Sequence, residues 1–443
     1  MKTEPITSID NFWLNLDTPT NLMVITALFE FDKPLDFDRL LATIENRWLV
    51  FERFKKRITK SVFGVPQWEI DPEFDIRSHL HRVALPGEGN KEQLQEMLSD
   101  LTAMPLDPAK PLWQLHLIEN YNGGCVLFWR IHHCIADGIS LTHVLLSTAD
   151  KTSDAPCPKM KVLKDTPWSE MKVLKDAPWT EMKVLKQEEP PKNEKKYRSY
   201  FSKISNPLKF KQLRKTAGDI INIGSFLSKQ MVSEPKTVFK GKLGVRKCIA
   251  WSDPLSLADA KFVGRALGGT LNDVLVSAVT GALRKYLLEK NTIMDNLNIR
   301  VSMPVNVRPK GTELALGNQF GLVSLALPVF IENPVLRFKE VKKRNDKIKG
   351  SPEASVNFHA IKTVGMAPAK IAKKTADFFA DKGSAVFSNV PGPSKPLYFA
   401  GQQMKNIMFW VPCTGHMGMG ISIISYDGKI TLGLASNEKL VSD

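Results

Sequence analysis

The chain is poor in every feature that marks a secreted, zinc-bound or membrane-spanning protein. Its 443 residues include five cysteines, Cys125, Cys134, Cys157, Cys248 and Cys413, with no C-x-x-C spacing. That pattern excludes a disulfide framework and the common zinc modules. The longest apolar run, Phe320 to Ile331, falls short of the roughly 20 residues a bilayer span needs. The opening Met1-Lys2-Thr3-Glu4-Pro5 has neither the basic nor the apolar region of a signal peptide. Neither G-x-G-x-x-G nor G-x-x-x-x-G-K-[ST] occurs, which removes the usual nucleotide cradles. A missing G-x-S-x-G elbow argues against a serine hydrolase of that fold. These absences predict a soluble, reduced, intracellular protein.

What is present is a large apolar fraction, 43%, and a net charge of +15. The first is enough for sizeable cores. The second suits an anionic surface or simply solubility. No zinc-finger, RNP-type or basic recognition-helix pattern accompanies it, so nucleic acid is not expected as a partner.

Three pieces are expected. Residues 1–150 mix an apolar strand, Leu22 to Phe31, with helical spacing over Phe37 to Trp48 and a second strand over Cys125 to His133. Residues 151–240 form a linker in which MKVLKDTPWSE (160–170) is followed directly by MKVLKDAPWTE (171–181). Pro167 and Pro178 break each copy, so a helical seam is not expected. Lys192 to Lys215 then carries nine basic residues and one acid, with Tyr197, Tyr200, Phe201 and Phe210 interleaved, ahead of an Ile220, Ile223, Leu227, Met231 stripe. Such a segment lies on an anionic membrane or is a solvated linker. Residues 241–443 return to α/β patterning, with Thr270 and Asp273 near a capping box and Leu271, Val274, Leu275, Ala278, Ala282 and Leu283 as the expected buried face. Strands are expected over 298–304, ending in a turn at Pro304, over 322–330 and over 418–425.

The chemistry concentrates in Ile131-His132-His133-Cys134-Ile135-Ala136-Asp137-Gly138, an H-H-x-x-x-D-G run at a strand end. Strand side chains alternate faces, so the two histidines point apart and cannot readily share a metal. A single histidine desolvated there stays neutral and suits general-base work. Asp137 would hold the following turn through an ion pair, and Gly138 would allow a tight backbone. The bland alternative is a pair of satisfied histidines beside an ordinary Asp-Gly turn. His79 and His81 share a face but lack a third ligand, so exposed polar histidines are expected and no metal site.

At this motif the chain resembles the bacterial wax ester synthase/acyl-CoA:diacylglycerol acyltransferase family, within the CoA-dependent acyltransferase superfamily. Further blocks carry the resemblance: Ser8-Ile9-Asp10-Asn11-Phe12-Trp13, Pro111-Leu112-Trp113, Asn272-Asp273, Asn306-Val307-Arg308 and Ser388-Asn389-Val390-Pro391-Gly392-Pro393. Gly317-Asn318-Gln319 departs from it, since the family often has Arg after Gly-Asn. The resemblance implies an α/β fold of two chloramphenicol-acetyltransferase-like domains with an active-site channel between them. It implies His133 as base, with His132 beside it, Asp137 and Gly138 in support, and Arg308 as the partner of Asp137. Asn272 becomes a candidate oxyanion donor, and Pro111, Leu112, Trp113, Asn389, Pro391 and Gly392 candidate channel residues. The implied reaction moves an acyl group from fatty acyl-CoA to a long-chain alcohol or diacylglycerol, without cofactor or metal, at a membrane or lipid-inclusion surface. Competing readings are a related acyltransferase with another acceptor or a carrier-bound donor, and a non-catalytic lipid-binding protein of the same fold.

Overall fold

The computed structural model describes residues 3–156, 235, 237–308, 316–349, 351–367, 369–413 and 415–442. The tandem repeat, the basic aromatic segment and the stripe behind it lie outside the described residues.

The N-terminal piece is built on a five-stranded sheet. Its spatial order is Asn406–Trp410, Val24–Phe31, Gly124–His132, Trp113–Tyr121 and Leu80–Ala84. Every residue of Gly124–His132 is buried, as a central strand with both faces covered must be. It leaves Trp113–Tyr121 through Asn122 and Gly123, whose φ angles of 49° and 78° make the two-residue turn that matches strand twist. Gly124 cannot carry a side chain, because a Cβ there would lie 2.0 Å from the Phe31 carbonyl oxygen.

The C-terminal piece holds the second sheet, in the order Phe320–Leu327, Ile299–Asn306, Ala385–Pro391, Met419–Tyr426, Lys429–Asn437 and Lys247–Trp251. Two apolar cores follow, one under each sheet. The two halves share a strand: Asn406–Trp410 belongs by sequence to the second half yet pairs antiparallel with Val24–Phe31 of the first. The chain then returns to its own sheet at Met419.

Two expectations need correction. The strand through Pro304 does not stop there but runs Ile299–Asn306. Only Val301 and Ser302 pair with Ala385–Pro391, so beyond them this is an edge where a proline's missing N–H is tolerated. The helix Leu271–Glu289 buries Leu275, Val276, Val279, Leu283 and Leu287, whereas Ala278 and Ala282 face solvent. The stripe is rotated because larger side chains on the neighbouring turn positions fill the core better than alanine does.

The capping box of that helix is present. Thr270 Oγ1 accepts from the Asp273 N–H at 3.3 Å, and Asp273 Oδ2 accepts from Thr270 N–H and O–H, both at 2.8 Å. Its other oxygen accepts from Asn345 Nδ2 at 2.7 Å. Asp273 is fully buried, so Asp273→Ala would strand three donors. It is expected to lower stability by about 2–3 kcal/mol in urea unfolding, with Asn272 left in place.

Candidate active site

His132 ends the central strand and His133 lies just past it. The His133 backbone N–H donates to Met23 O at 2.7 Å, and the His132 N–H to Leu112 O at 2.9 Å. The two rings then diverge. His132 Nδ1 accepts from the Cys134 N–H at 3.1 Å, so its proton sits on Nε2, 3.8 Å from Asp17 Oδ1. That ring closes the turn.

His133 turns instead toward the other half of the chain. Its Nδ1 lies 2.9 Å from Asn318 Oδ1. The Asn318 amide nitrogen donates to Asp10 Oδ1 at 2.9 Å and to the His133 carbonyl at 2.7 Å. Both of those partners only accept, so Asn318 must present its oxygen to the ring. Nδ1 therefore carries the proton and Nε2 keeps its lone pair. No hydrogen bond reaches Nε2 among the described residues. Trp13 stacks on the ring at 4.4 Å with 12° between planes, and Phe320 tilts against it at 5.5 Å. This apolar burial holds the His133 pKa down to about 4, against the pull of Asp137 and Asn318. The ring is neutral at physiological pH.

Asp10 is wholly buried. Burial raises its pKa, and Arg53 and Asn318 oppose the rise. Arg53 Nη1 lies 3.4 Å from Asp10 Oδ2, and its guanidinium sits 4.4 Å over the Trp68 ring. A line of contacts thus runs Arg53, Asp10, Asn318, His133.

Asp137 caps the helix Gly138–Thr148, with Oδ1 accepting from Ser140 N–H at 3.0 Å. Its Oδ2 stands 2.7 Å from Arg308 Nη2 and accepts from the Gln319 N–H at 2.9 Å. Arg308 also donates to Ser140 Oγ at 2.6 Å and Gly317 O at 2.7 Å. The Gln319 contact is made by its backbone, so the departure in side chain at that position leaves it intact.

Other expected site residues are placed as follows. Gly138 has no positive φ, and a Cβ there would meet only Val390 Cγ2 at 3.9 Å. The backbone does not require glycine; what the missing side chain leaves is open space. Asn272 Oδ1 accepts from Asn389 Nδ2 at 3.1 Å, and neither is joined to His133 by a hydrogen bond among the described residues. Leu112 and Trp113 sit in the core: Trp113 is 1% exposed and donates from Nε1 to Phe54 O at 2.7 Å. They support the strand next to His132, and Pro111 precedes them. Pro391 is exposed, and Gly392 is held so close to Ser425 O that a Cβ would lie 2.2 Å from it. His79 is not an exposed histidine. It is 2% exposed, paired through Nδ1 with Trp113 O at 2.8 Å and stacked between Phe74 and Trp113. Among the described residues no three His, Cys, Asp or Glu converge as metal ligands.

Asp10, Trp13, Asn318 and Phe320 enter the site without a role assigned to them from sequence. One signal was available: Asp10 is a charged residue inside the apolar turn Ile9-Asp10-Asn11-Phe12-Trp13, and a buried carboxylate needs a partner.

The Asp137–Arg308 pair is 5% and 1% exposed at its two side chains. Removing one member strands the other charge, so Asp137→Ala and Arg308→Ala should each lower stability by about 3–5 kcal/mol. Urea unfolding of both variants checks this. A loss below about 1 kcal/mol would mean that water reaches the pair.

The geometry on its own describes a neutral, oriented imidazole in an apolar setting, and comparison with known proteins gives it a family. The wax ester synthase/diacylglycerol acyltransferase catalytic domain matches residues 6–275, and the corresponding C-terminal domain matches residues 316–443. A probable diacylglycerol O-acyltransferase of Mycobacterium tuberculosis is 25% identical, over 95% of this chain and 88% of its own. A second from the same organism is 27% identical, over 84% and 79%. In fold, the chain matches the wax ester synthase/diacylglycerol acyltransferase of Marinobacter aquaeolei VT8 at a TM-score of 0.67 and 20% identity, covering 99% and 94% of the two chains. It also matches the first condensation domain of the calcium-dependent antibiotic synthetase at 0.59 and 15%, covering 100% and 92%. The chain shares its fold with these two solved structures, and it belongs to the wax ester synthase/diacylglycerol acyltransferase family.

Proposed function

We propose that the protein transfers a fatty acyl group from acyl-CoA to the hydroxyl of a long-chain alcohol or diacylglycerol, with His133 as general base. The observation that carries this is the Asn318 contact, which leaves the His133 Nε2 lone pair free. Nε2 takes the hydroxyl proton as the oxygen attacks the thioester carbonyl. The tetrahedral intermediate collapses, the C–S bond breaks, and the CoA sulfur receives the proton from Nε2. Such acid–base help is worth about 10²–10⁴-fold. Asp137, Arg308 and Asn318 act by positioning, and Asn272 is the candidate donor to the oxyanion, through the amide nitrogen its Asn389 contact leaves free. No metal or prosthetic group takes part in these steps.

Substrates reach the site between the two halves in this reading. A cavity of about 190 Å³ lined by Leu16, Thr18, Asn21, Lys373, Asp377 and Gly415 draws on both. Exclusion of water at His133, against Trp13 and Phe320, would limit hydrolysis of the thioester. Because acceptor and product are insoluble, the protein works at a lipid surface, on the cytoplasmic face of a membrane or on lipid inclusions. No single helix among the described residues is long and apolar enough to cross a membrane.

Thiol release from palmitoyl-CoA, measured with and without hexadecanol or diacylglycerol, tests the reaction. Acceptor-dependent release with ester formed is expected. No release at all would leave a lipid-binding protein, and release unaffected by either acceptor would point to a different one. His133→Ala should lower ester formation by at least about 10²-fold while the fold is kept, whereas His132→Ala should show its main effect in thermal stability. Asn318→Ala should cut kcat by up to about 10²-fold through misorientation and move KM little.

The pH dependence has a definite sign. The base works unprotonated, and its pKa is lowered from 6.5 to about 4, so kcat/KM should hold as pH falls past 6.5 and drop only near 4. A limb at 6.5 in protein still folded by circular dichroism would mean that His133 is solvated or is not the base.

A further inference from the structure

The hairpin of Lys56–Lys60 and Pro66–Ile70 ends in Ser61-Val62-Phe63-Gly64-Val65. At this tip Val62 is 95% exposed, Phe63 90% and Val65 56%. A Cβ at Gly64 would have no atom within 4 Å, so the tip stands clear of the body. The turn itself is well made: the Gly64 N–H donates to Ser61 O at 2.8 Å, and the Val65 N–H to Ser61 Oγ at 3.1 Å. A rigid turn that holds two large apolar side chains almost wholly in water is built to put them elsewhere.

Glu52 and Glu69 flank the stretch nearest the tip, which itself carries only positive charge. From Arg53 to Trp68 the chain has five basic residues, Arg53, Lys55, Lys56, Arg57 and Lys60, and no acid. Arg53, Lys56 and Arg57 are engaged with carboxylates near the base. Lys55 and Lys60 have no ion-pair partner among the described residues, and Lys60 is exposed beside the tip. An apolar point with the free cation of Lys60 beside it complements an anionic lipid interface.

The hairpin is tied to the site at both of its ends. Next to the tip, Pro66 O accepts from the Ile6 N–H at 3.4 Å, just before the helix Ser8–Leu16 that carries Asp10 and Trp13 to His133. Arg53, on the turn leading into the hairpin, is the ion-pair partner of Asp10. The hairpin is therefore held to the shell of the catalytic histidine through Ile6 near its tip and through Arg53 at its base.

We propose that this hairpin is a lipid-inserting finger: Val62, Phe63 and Val65 enter the interface of an anionic membrane, while Lys60 meets its headgroups. The assignment rests on the lipid-surface reading of the function and gives it a location among the described residues.

The test is co-sedimentation of the full chain with phosphatidylcholine/phosphatidylglycerol vesicles. Wild type should pellet with them. Val62→Ser/Phe63→Ser should bind about tenfold more weakly or worse, since two apolar groups no longer leave water, and Phe63→Leu should bind as wild type does. Because both side chains are exposed, the double variant should keep its thermal midpoint and its activity on detergent-dispersed substrate. Its activity on vesicle-borne diacylglycerol should fall in step with binding. If the double variant pelleted as wild type does, the finger would be refuted while the lipid-surface reading stood. If wild type failed to pellet, both would fall. A change in the oligomeric state of the double variant in lipid-free buffer would make the tip a protein contact and overturn the assignment.

Discussion

One amide group sets the tautomer of His133. Asn318 reaches from the second half of the chain to a histidine 185 positions earlier and makes three hydrogen bonds there. Two of these go to acceptors, Asp10 and the His133 carbonyl, and they leave the third no choice of direction. An imidazole alone is symmetric enough to carry its proton on either nitrogen. Here the tautomer is fixed by a group that cannot itself titrate. A carboxylate in the same place would also orient the ring, but it would draw a proton to it and raise its pKa. An amide orients the ring with far less of that effect, which is compatible with a pKa held near 4 between Trp13 and Phe320.

The same loop keeps the two halves in register. Gly317 O, Asn318 and the Gln319 N–H all face the turn that holds His133 and Asp137. Arg308 joins that turn to the loop through Asp137, Ser140 and Gly317. A buried ion pair is weak evidence of stability, because desolvation offsets much of the attraction. Its value here is geometric. The helix Gly138–Thr148 can begin where it does only if Asp137 faces both its own Ser140 N–H and the partner half. The strand Asn406–Trp410, inserted in the first sheet, adds a second tie. Relative movement of the halves would have to break that strand pairing as well as the ion pair.

Local chemistry was readable in the sequence and long-range chemistry was not. Thr270 and Asp273 lie within one helical turn, so their capping box followed from residue type and spacing alone. The strands around Val24–Phe31 and Gly124–His132 were visible as apolar runs, because a strand covered on both faces has no polar side to mask it. The rotated stripe on Leu271–Glu289 was not visible, since which of several apolar rows is buried depends on what packs against the helix. Asn406–Trp410 reads as a strand in any sheet, and nothing in its five residues names Val24–Phe31 as its neighbour. The Arg308–Asp137 contact was reachable only through a resemblance. Asn318 was in view, as part of a departure at Gly317-Asn318-Gln319, but its role depends on a fold that brings it to Asp10 and His133. A polar residue's spacing tells nothing of a partner hundreds of positions away.

The adjacent histidines show how a strand end divides one residue type between two tasks. Because successive side chains face opposite ways, His132 looks back into the first half and His133 outward to the second. His132 accepts the Cys134 N–H on Nδ1, which fixes the turn but ties up the nitrogen nearest the backbone. His133 gives its Nδ1 proton to Asn318, so the distal nitrogen is left for a substrate. The opposite tautomers follow from what each Nδ1 meets, a donor in one case and an acceptor in the other. A general base needs the second arrangement, with the lone pair at the far end of the ring and the apolar wall around it. Exchanging the tasks would require the Cys134 N–H and the Asn318 oxygen to change places. The strand's alternation thus gives His133 the arrangement that the proposed base needs and gives His132 to the turn.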